Sequence, residues 1–539
     1  MGTVLSLAKL AWSDFLENLR KYQLLKKRLQ TSPGLPVPNP TLSFWTIPPS
    51  PLVQCAPSKL PNHADFVVIG SGITGTSLCR ALLDQYHSEE NLESVKVVML
   101  EARDVCSGAT GRNGGHISPP LYHDYITLKE EHGEDNAKKM IKFRLAHVEE
   151  LGHVAEEEDI LKESQWRGVE TVDVFYDQNM FDEAKSKLQV FREAMPVESE
   201  HYRALESEDA KKTFKLASDT VGCISTYAGA IHPYRFVTGI LSKMIVRYSN
   251  SFSLCTHTPC TSIVSPTATT PFYTVNTPRG TITTPHVIHA TNGWSSYLLE
   301  PMRAKIIPVR GNMSAQRPGQ SLDPSTLSGQ RSFVFYTGTV GYDYLTQLPT
   351  GENELMLGGG FARAAEDNFI EVGNTDDSEY SKYITSYISG VLPRYFGDEH
   401  WGAEKPPAED NNGVAWGKGR VKALWSGVLG ISADLRPWVG RLPQKISGRV
   451  EPPVSSTPRG PISQDEDKSL KLSAAPGEWI AAGYTGEGMV HAWLSGKALA
   501  HMVMDRAAEI EGWFPDIMKV TERRWVEARP EKLLEMLTG

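Results

Sequence analysis

The chain has 539 residues, room for more than one domain at about 150 residues each, with 40% hydrophobic and 22% charged residues. Its 55 basic and 64 acidic side chains leave a net charge of −9, so no nucleic-acid partner is expected, and no stretch approaches the ~20 apolar residues of a membrane span. Six cysteines, at positions 55, 79, 106, 223, 255 and 260, form no CxxC pair and no metal-ligand spacing, so no metal site is expected. Without a recognisable secretory signal they read as small buried apolar residues in a reducing compartment. A cytoplasmic location is the expectation, with mitochondrial or membrane-surface association as the alternative.

Residues 1–60 form an N-terminal segment. From 4 to 29, Leu5, Ala8, Trp12, Phe15, Leu16 and Leu19 recur at helical spacing and the run ends in Lys26-Lys27-Arg28. Such an amphipathic helix can dock on the domain, a partner or a membrane surface; Asp14 and Glu17 argue against a presequence. Thr31 to Pro51 is rich in proline and should be an extended lead-in.

Phe66 to Ile69 reads as a buried strand, then Gly70-Ser71-Gly72-Ile73-Thr74-Gly75 and an apolar helix, then a second strand closing at Glu101-Ala102-Arg103. In such a βαβ unit Gly70 permits the turn, Gly72 lets a pyrophosphate approach the helix N-terminus, and Gly75 lets helix and strand touch. Glu101 follows Gly75 by 26 positions, and its carboxylate suits ribose hydroxyls. A second small-residue cluster follows, Gly108-Ala109-Thr110-Gly111-Arg112-Asn113-Gly114-Gly115-His116. A nicotinamide dinucleotide has no need of it; a flat ring system or a second phosphate has.

That cluster resembles the second cofactor motif of the D-amino-acid oxidase-like FAD-dependent oxidoreductases, in the branch with a GASGRNGG signature that includes gamma-glutamylputrescine and sarcosine oxidases. The resemblance continues along the chain. Residues 124 to 220, helical and charged, fit a cap; His232-Pro233 opens a helix, with His232 as a packing residue at its start. The family uses backbone groups at the position of Cys260, beside the adenine. Ala290-Thr291-Asn292-Gly293 matches its "ATNG" loop, and Trp425 to Gly440 resembles its return to the active site. Gly483-Tyr484-Thr485-Gly486-Glu487-Gly488-Met489 matches the strand-turn-helix whose amides face the pyrimidine end of the flavin in that family, where reduction places negative charge.

The implied architecture is α/β: a Rossmann-like FAD-binding domain of the GR2 type, interleaved with a β-rich substrate domain. The FAD-binding part would comprise 61–122, 223–300 and 411–510, the cap and substrate part 123–222 and 301–410, with a flexible insertion at 448–478 and a tail at 511–539. The chemistry implied is oxidation of a C–N bond of an amine or amino acid to an imine, with O2 or an electron carrier as acceptor. Alternatives are a tailoring oxidase on a larger nitrogenous metabolite and a non-catalytic FAD-containing assembly module. By the same resemblance Arg112 would lie over the ring with His116 nearby. Arg436 would grip a substrate carboxylate or else pair with Asp434. Glu487 departs from the histidine that related oxidases often place in this turn; a carboxylate there would bind a cationic amine or take its proton, or else cap a helix. Neither family attachment residue is present: no cysteine follows Cys260, and Asn113 stands near the histidyl position, so FAD should be held noncovalently. Nor does a lysine occur between Ile306 and Gly360, where related oxidases take their oxygen-activating lysine.

Overall fold

The computed structural model describes residues 19–88, 95–322, 328–338, 341–361, 370–407, 415–453 and 473–531, together with Trp12 and Leu16. Phe66–Ile69 is the centre of a six-stranded sheet in the order Trp438–Arg441, Gly477–Ala482, His286–His289, Phe66–Ile69, Val97–Leu100, Phe252–Cys255. All its pairings are parallel except that of the edge strand Trp438–Arg441. Phe66–Ile69 and Val97–Leu100 are buried at every position, which is why they read as continuous apolar runs rather than alternating ones. Helices Ile73–Ser88 and Ala492–Val503 cross so closely that a Cβ on Gly496 would meet Thr74 O at 2.5 Å.

A nine-stranded mixed sheet forms the second layer. Its order is Val421–Ser432, Ile306–Gln316, Leu355–Gly358, Asp343–Gln347, Arg331–Tyr336, Arg167–Phe175, Gly222–Ala230 and His116–Ile117, with Arg203–Glu206 paired to Gly222–Ala230. The expected β-rich substrate part is therefore present, with the strands Arg331–Tyr336, Asp343–Gln347 and Leu355–Gly358 and a helix from Lys382 to Trp401. Three stretches assigned from sequence to the FAD-binding part, 116–117, 223–230 and 421–432, are strands of this larger sheet. Their partners lie far off in sequence, so local pattern cannot say which sheet each joins. The strand Arg167–Phe175 also interrupts the cap, which otherwise has the expected helices Leu121–His132, Glu134–Glu157 and Gln178–Ala194.

The lead-in does more than span a gap. Ser43 donates to Gly111 O (2.7 Å) and Trp45, fully buried, donates from Nε1 to Asn113 O (2.5 Å). The aromatic pair Phe44-Trp45 inside a proline-rich run was the available signal. Residues 19–30 are helical, and Leu25 and Leu29 bury against Ile307, Val309 and Val372, so this end of the N-terminal helix docks on the domain. No described helix is long and apolar enough to cross a membrane. Of the expected insertion, residues 454–472 lie outside the described residues. The tail is anchored: Glu522–Glu527 is a helix, and its Arg524 is buried against Asp434.

Candidate active site

The glycine corners converge. Gly70 takes φ 111° and a Cβ there would sit 2.5 Å from Ala290 O, so the first turn and the 290–293 loop are in direct backbone contact. A Cβ on Gly75 would lie 2.2 Å from Gly70 O, which accounts for a glycine where helix meets strand. Thr110 of the second cluster accepts from the Ile73 amide (3.1 Å), and its hydroxyl lies 3.0 Å from where a Gly72 Cβ would be. Glu101 accepts from Ser71 N (3.2 Å), Ser71 Oγ (2.7 Å) and the Arg103 amide (3.0 Å). Its carboxylate is thereby oriented, and Ala102 beside it stays partly open. Cys260 is buried with Val67 and Leu100 in the apolar cluster behind these strands; burial pushes its thiol up to about 12.

The final turn closes the ring. Tyr484 Oη lies 2.9 Å from Thr74 Oγ1, the Gly483 amide donates to Asn292 Oδ1 (3.0 Å), and Asn113 Nδ2 lies 3.7 Å from Met489 Sδ. One loop surface thus collects residues from four segments between 70 and 489. Gly486 at φ 82° is exposed and Glu487 and Gly488 partly so.

The family profile described as DAO, FAD-dependent oxidoreductase, matches residues 65–502. The chain belongs to the DAO family. Its fold is that of solved DAO-type proteins: L-proline dehydrogenase from P. horikoshii (TM-score 0.58, 17% identity, 87% of this chain and 100% of that one) and glycine oxidase from Geobacillus kaustophilus (TM-score 0.58, 16% identity, 86% and 99%). Among curated proteins it is similar to a probable oxidoreductase of Haemophilus influenzae, at 20% identity over 85% of this chain and 88% of that protein. It is also similar to gamma-glutamylputrescine oxidoreductase of Escherichia coli, at 25% over 56% of this chain and 66% of that protein. FAD is the cofactor of this family, and the residues present fit it. The glycine backbones leave the approach open where any Cβ would fill it, and an oriented carboxylate stands at the end of the second strand.

Within this DAO frame the structure gives three of the arginines protein partners. The Arg112 guanidinium donates to Ser107 O (2.8 Å), Ser426 O (2.7 Å) and Thr41 Oγ1 (3.2 Å), and it lies 3.7 Å from Asp377. Burial draws it down to about 10 against the opposing charge of Asp377. Its task is to lock the second cluster to the larger sheet. Arg103 likewise spends its guanidinium on Asp377, at 2.9 and 3.0 Å, leaving only its amide to serve the cofactor side through Glu101. Arg436 takes the ion-pair alternative, donating to Asp434 at 2.8 Å, while Arg524 holds the same carboxylate at 2.8 and 3.0 Å.

His116 follows the second cluster, with its ring edge-on to Tyr344 at 5.5 Å. Burial first, and then the charge of Arg167, pulls it down to about 3, so it is neutral, and its Nε2 has no partner among the described residues. Gly114 faces Tyr344, whose ring would lie 2.8 Å from a Cβ there, and Gly115 stands at φ 73°. His232 caps the helix Pro233–Arg247 and meets Trp45 edge-on at 4.6 Å, a packing role.

Sequence reasoning missed the groups above the final turn. Tyr336, Tyr342 and Tyr344 follow one another at 5.9 and 6.4 Å. Tyr342 keeps 49% of its surface accessible, while the burial of its hydroxyl end, reinforced by Glu487, pushes its phenol far up. Glu487 shares that surrounding: desolvation raises its carboxyl to about 7, with Arg144 opposing and Asp124 adding to the rise. Arg144 lies 3.2 Å from Glu487 Oε2 and donates to Asp124 (2.7 Å). A charged residue on the apolar face of the cap helix, between Met140 and Val148, was the signal for it. Among the described residues no cluster of histidine, cysteine and acids could hold a metal.

Proposed function

We propose that the protein oxidises the C–N bond of a cationic amine to the imine, with O2 as the final acceptor and hydrogen peroxide as product. The observation that carries this is Glu487, a carboxylate with a raised proton affinity in the turn that joins the first helix and the second glycine cluster, beneath a row of three tyrosines. FAD, when bound, supplies the two-electron acceptor; the protein's side chains bind, orient and deprotonate. An amine reacts with its nitrogen unprotonated, and an acceptor with a pKa near neutrality takes that proton efficiently. Tyrosine faces attract an ammonium group and exclude water around it. Amine rather than amino acid is favoured because Arg112, Arg436 and Arg144 each already hold a carboxylate of the protein. Of the relatives' names, that of the E. coli protein contains a putrescine derivative, whereas L-proline dehydrogenase and glycine oxidase, similar at 17% and 16% identity, are named for amino acids.

The test is an anaerobic panel of mono- and diamines, N-methyl amino acids and α-amino acids, followed by bleaching of the flavin spectrum. Amines should bleach it and air should restore it with release of peroxide. Bleaching by α-amino acids alone would overturn the substrate reading, and reoxidation only by an added carrier would make the enzyme a dehydrogenase.

A further inference from the structure

Four groups face Glu487, and their role depends on Glu487 being the proton acceptor of the proposed amine oxidation. From the helix Glu134–Glu157 comes Arg144, with Nη2 at 3.2 Å from Glu487 Oε2. From the helix Leu121–His132 comes Asp124, which accepts from Arg144 Nη1 at 2.7 Å. From Glu487's own segment comes His491, with Nδ1 at 3.0 Å from the Glu487 carbonyl and 3.7 Å from its carboxylate. Tyr342, just ahead of the strand Asp343–Gln347, is the fourth.

The hydrogen bonds determine one another. Arg144 Nε–H has only a proton to give, so the His491 Nε2 it meets at 3.1 Å must carry the lone pair. The ring proton then sits on Nδ1 and is donated to the Glu487 carbonyl. Burial and the charge of Arg144 hold His491 neutral. His147 sits behind it and accepts from the Leu494 amide (3.2 Å), so it is neutral as well. One guanidinium therefore fixes the turn twice, through the backbone by way of His491 and through the carboxylate directly. Among the described residues it is also the one positive charge facing Glu487, and Asp124 is the one other negative charge.

We propose that Arg144 is a positioning residue for the reaction: it orients the Glu487 carboxylate in the final turn and, in opposition to Asp124, sets its readiness to take the proton of a bound ammonium. A cap helix that merely docked there would need the ion pair but not the opposed acid. Removing Arg144 takes away a charge that favours ionised Glu487; removing Asp124 takes away one that disfavours it and frees Arg144 for Glu487. The two substitutions must act with opposite sign.

The experiment follows the rate of anaerobic flavin reduction by the best amine of the panel across pH, in holoenzymes checked for FAD content and helicity. In the wild type the rate should rise with pH as Glu487 ionises. Glu487→Gln should lose this rise, leaving only the later one of the free amine near its own pKa of about 10; if it keeps the earlier rise, Glu487 is not the acceptor and the proposed amine chemistry fails with it. With that rise lost, Arg144→Met should move the wild-type rise upward by about 1–3 pH units, the size of an opposite-charge effect. Arg144→Lys should restore part of it, and Asp124→Asn should move it downward. A pH titration of the bound flavin's absorbance without substrate should shift in the same two directions. Should Arg144→Met fail to fold, Arg144→Lys and Asp124→Asn still decide the matter. Equal profiles, or shifts of the same sign in Arg144 and Asp124 variants, overturn the inference.

Discussion

Asp377 lies in the loop ahead of the helix Lys382–Trp401, and its side chain is wholly buried. It receives both terminal nitrogens of Arg103, at 2.9 and 3.0 Å, and stands 3.7 Å from Arg112. Its carbonyl accepts from the Thr41 amide at 2.6 Å. Asp377→Asn would keep the shape and remove the charge, leaving two buried guanidinium groups facing an amide. Arg112 would retain Ser107, Ser426 and Thr41, but Arg103 would retain only Val37 O and a long contact to Ser107 O. Breaking a buried pair from one side costs about 3–5 kcal/mol. At about 2.1 cal/mol/K per residue, a chain of 539 residues unfolding as one unit would melt about 3–4 °C lower. Thermal unfolding followed by circular dichroism measures this, and flavin fluorescence reports the accompanying loosening of the Ser107–Arg112 loop. The partner control is Arg103→Met with Asp377→Leu, which removes both charges and should recover much of the loss. An Asp377→Asn protein melting within about 1 °C of wild type, or a double variant as unstable as the single one, would refute the reasoning.

Gly75→Ala places a Cβ within 2.2 Å of Gly70 O, so the first helix must shift off its strand; the purified variant should be colourless and resist reconstitution with FAD while keeping its far-ultraviolet spectrum. Acid unfolding of the wild type should release all the flavin into the filtrate, whereas colour retained on the denatured chain would reveal a covalent bond. Asp434 is buried, which alone would raise its pKa, but Arg524 and Arg436 outweigh this and hold it well below the usual carboxylate range. The stability it contributes is thus present above the unfolded pKa of about 3.8 and lost as pH falls through the folded value. The deficit of Asp434→Asn should accordingly be full near neutrality and shrink below pH ~4; a deficit independent of pH would count against the pairing. Trp45→Ala empties a fully buried site and orphans Asn113 O, with an expected loss of about 3–5 kcal/mol in chemical unfolding.

The cofactor frame was legible from residue order because its demands are local. Gly70, Gly75 and Gly115 are glycines for the conformation or clearance of their own backbone, and Glu101 ends the strand it was read to end. Such requirements leave their mark within a few residues of where they act. Charge is different, since a guanidinium does not announce its partner. Arg103 and Asp377 are 274 positions apart, and Arg112 and Arg144 each meet an acid that no spacing rule selects. From sequence alone Arg436 could equally grip a substrate or Asp434, and Glu487 could equally be a helix cap. Only the packed fold, which desolvates Glu487 and sets Arg144, Asp124 and Tyr342 around it, separates an ordinary acid from one whose proton affinity is raised. Sequence determined the frame because turns and close approaches are short-range; tertiary structure decided which charges meet and which acid is perturbed because desolvation and Coulomb forces depend on what is near in space.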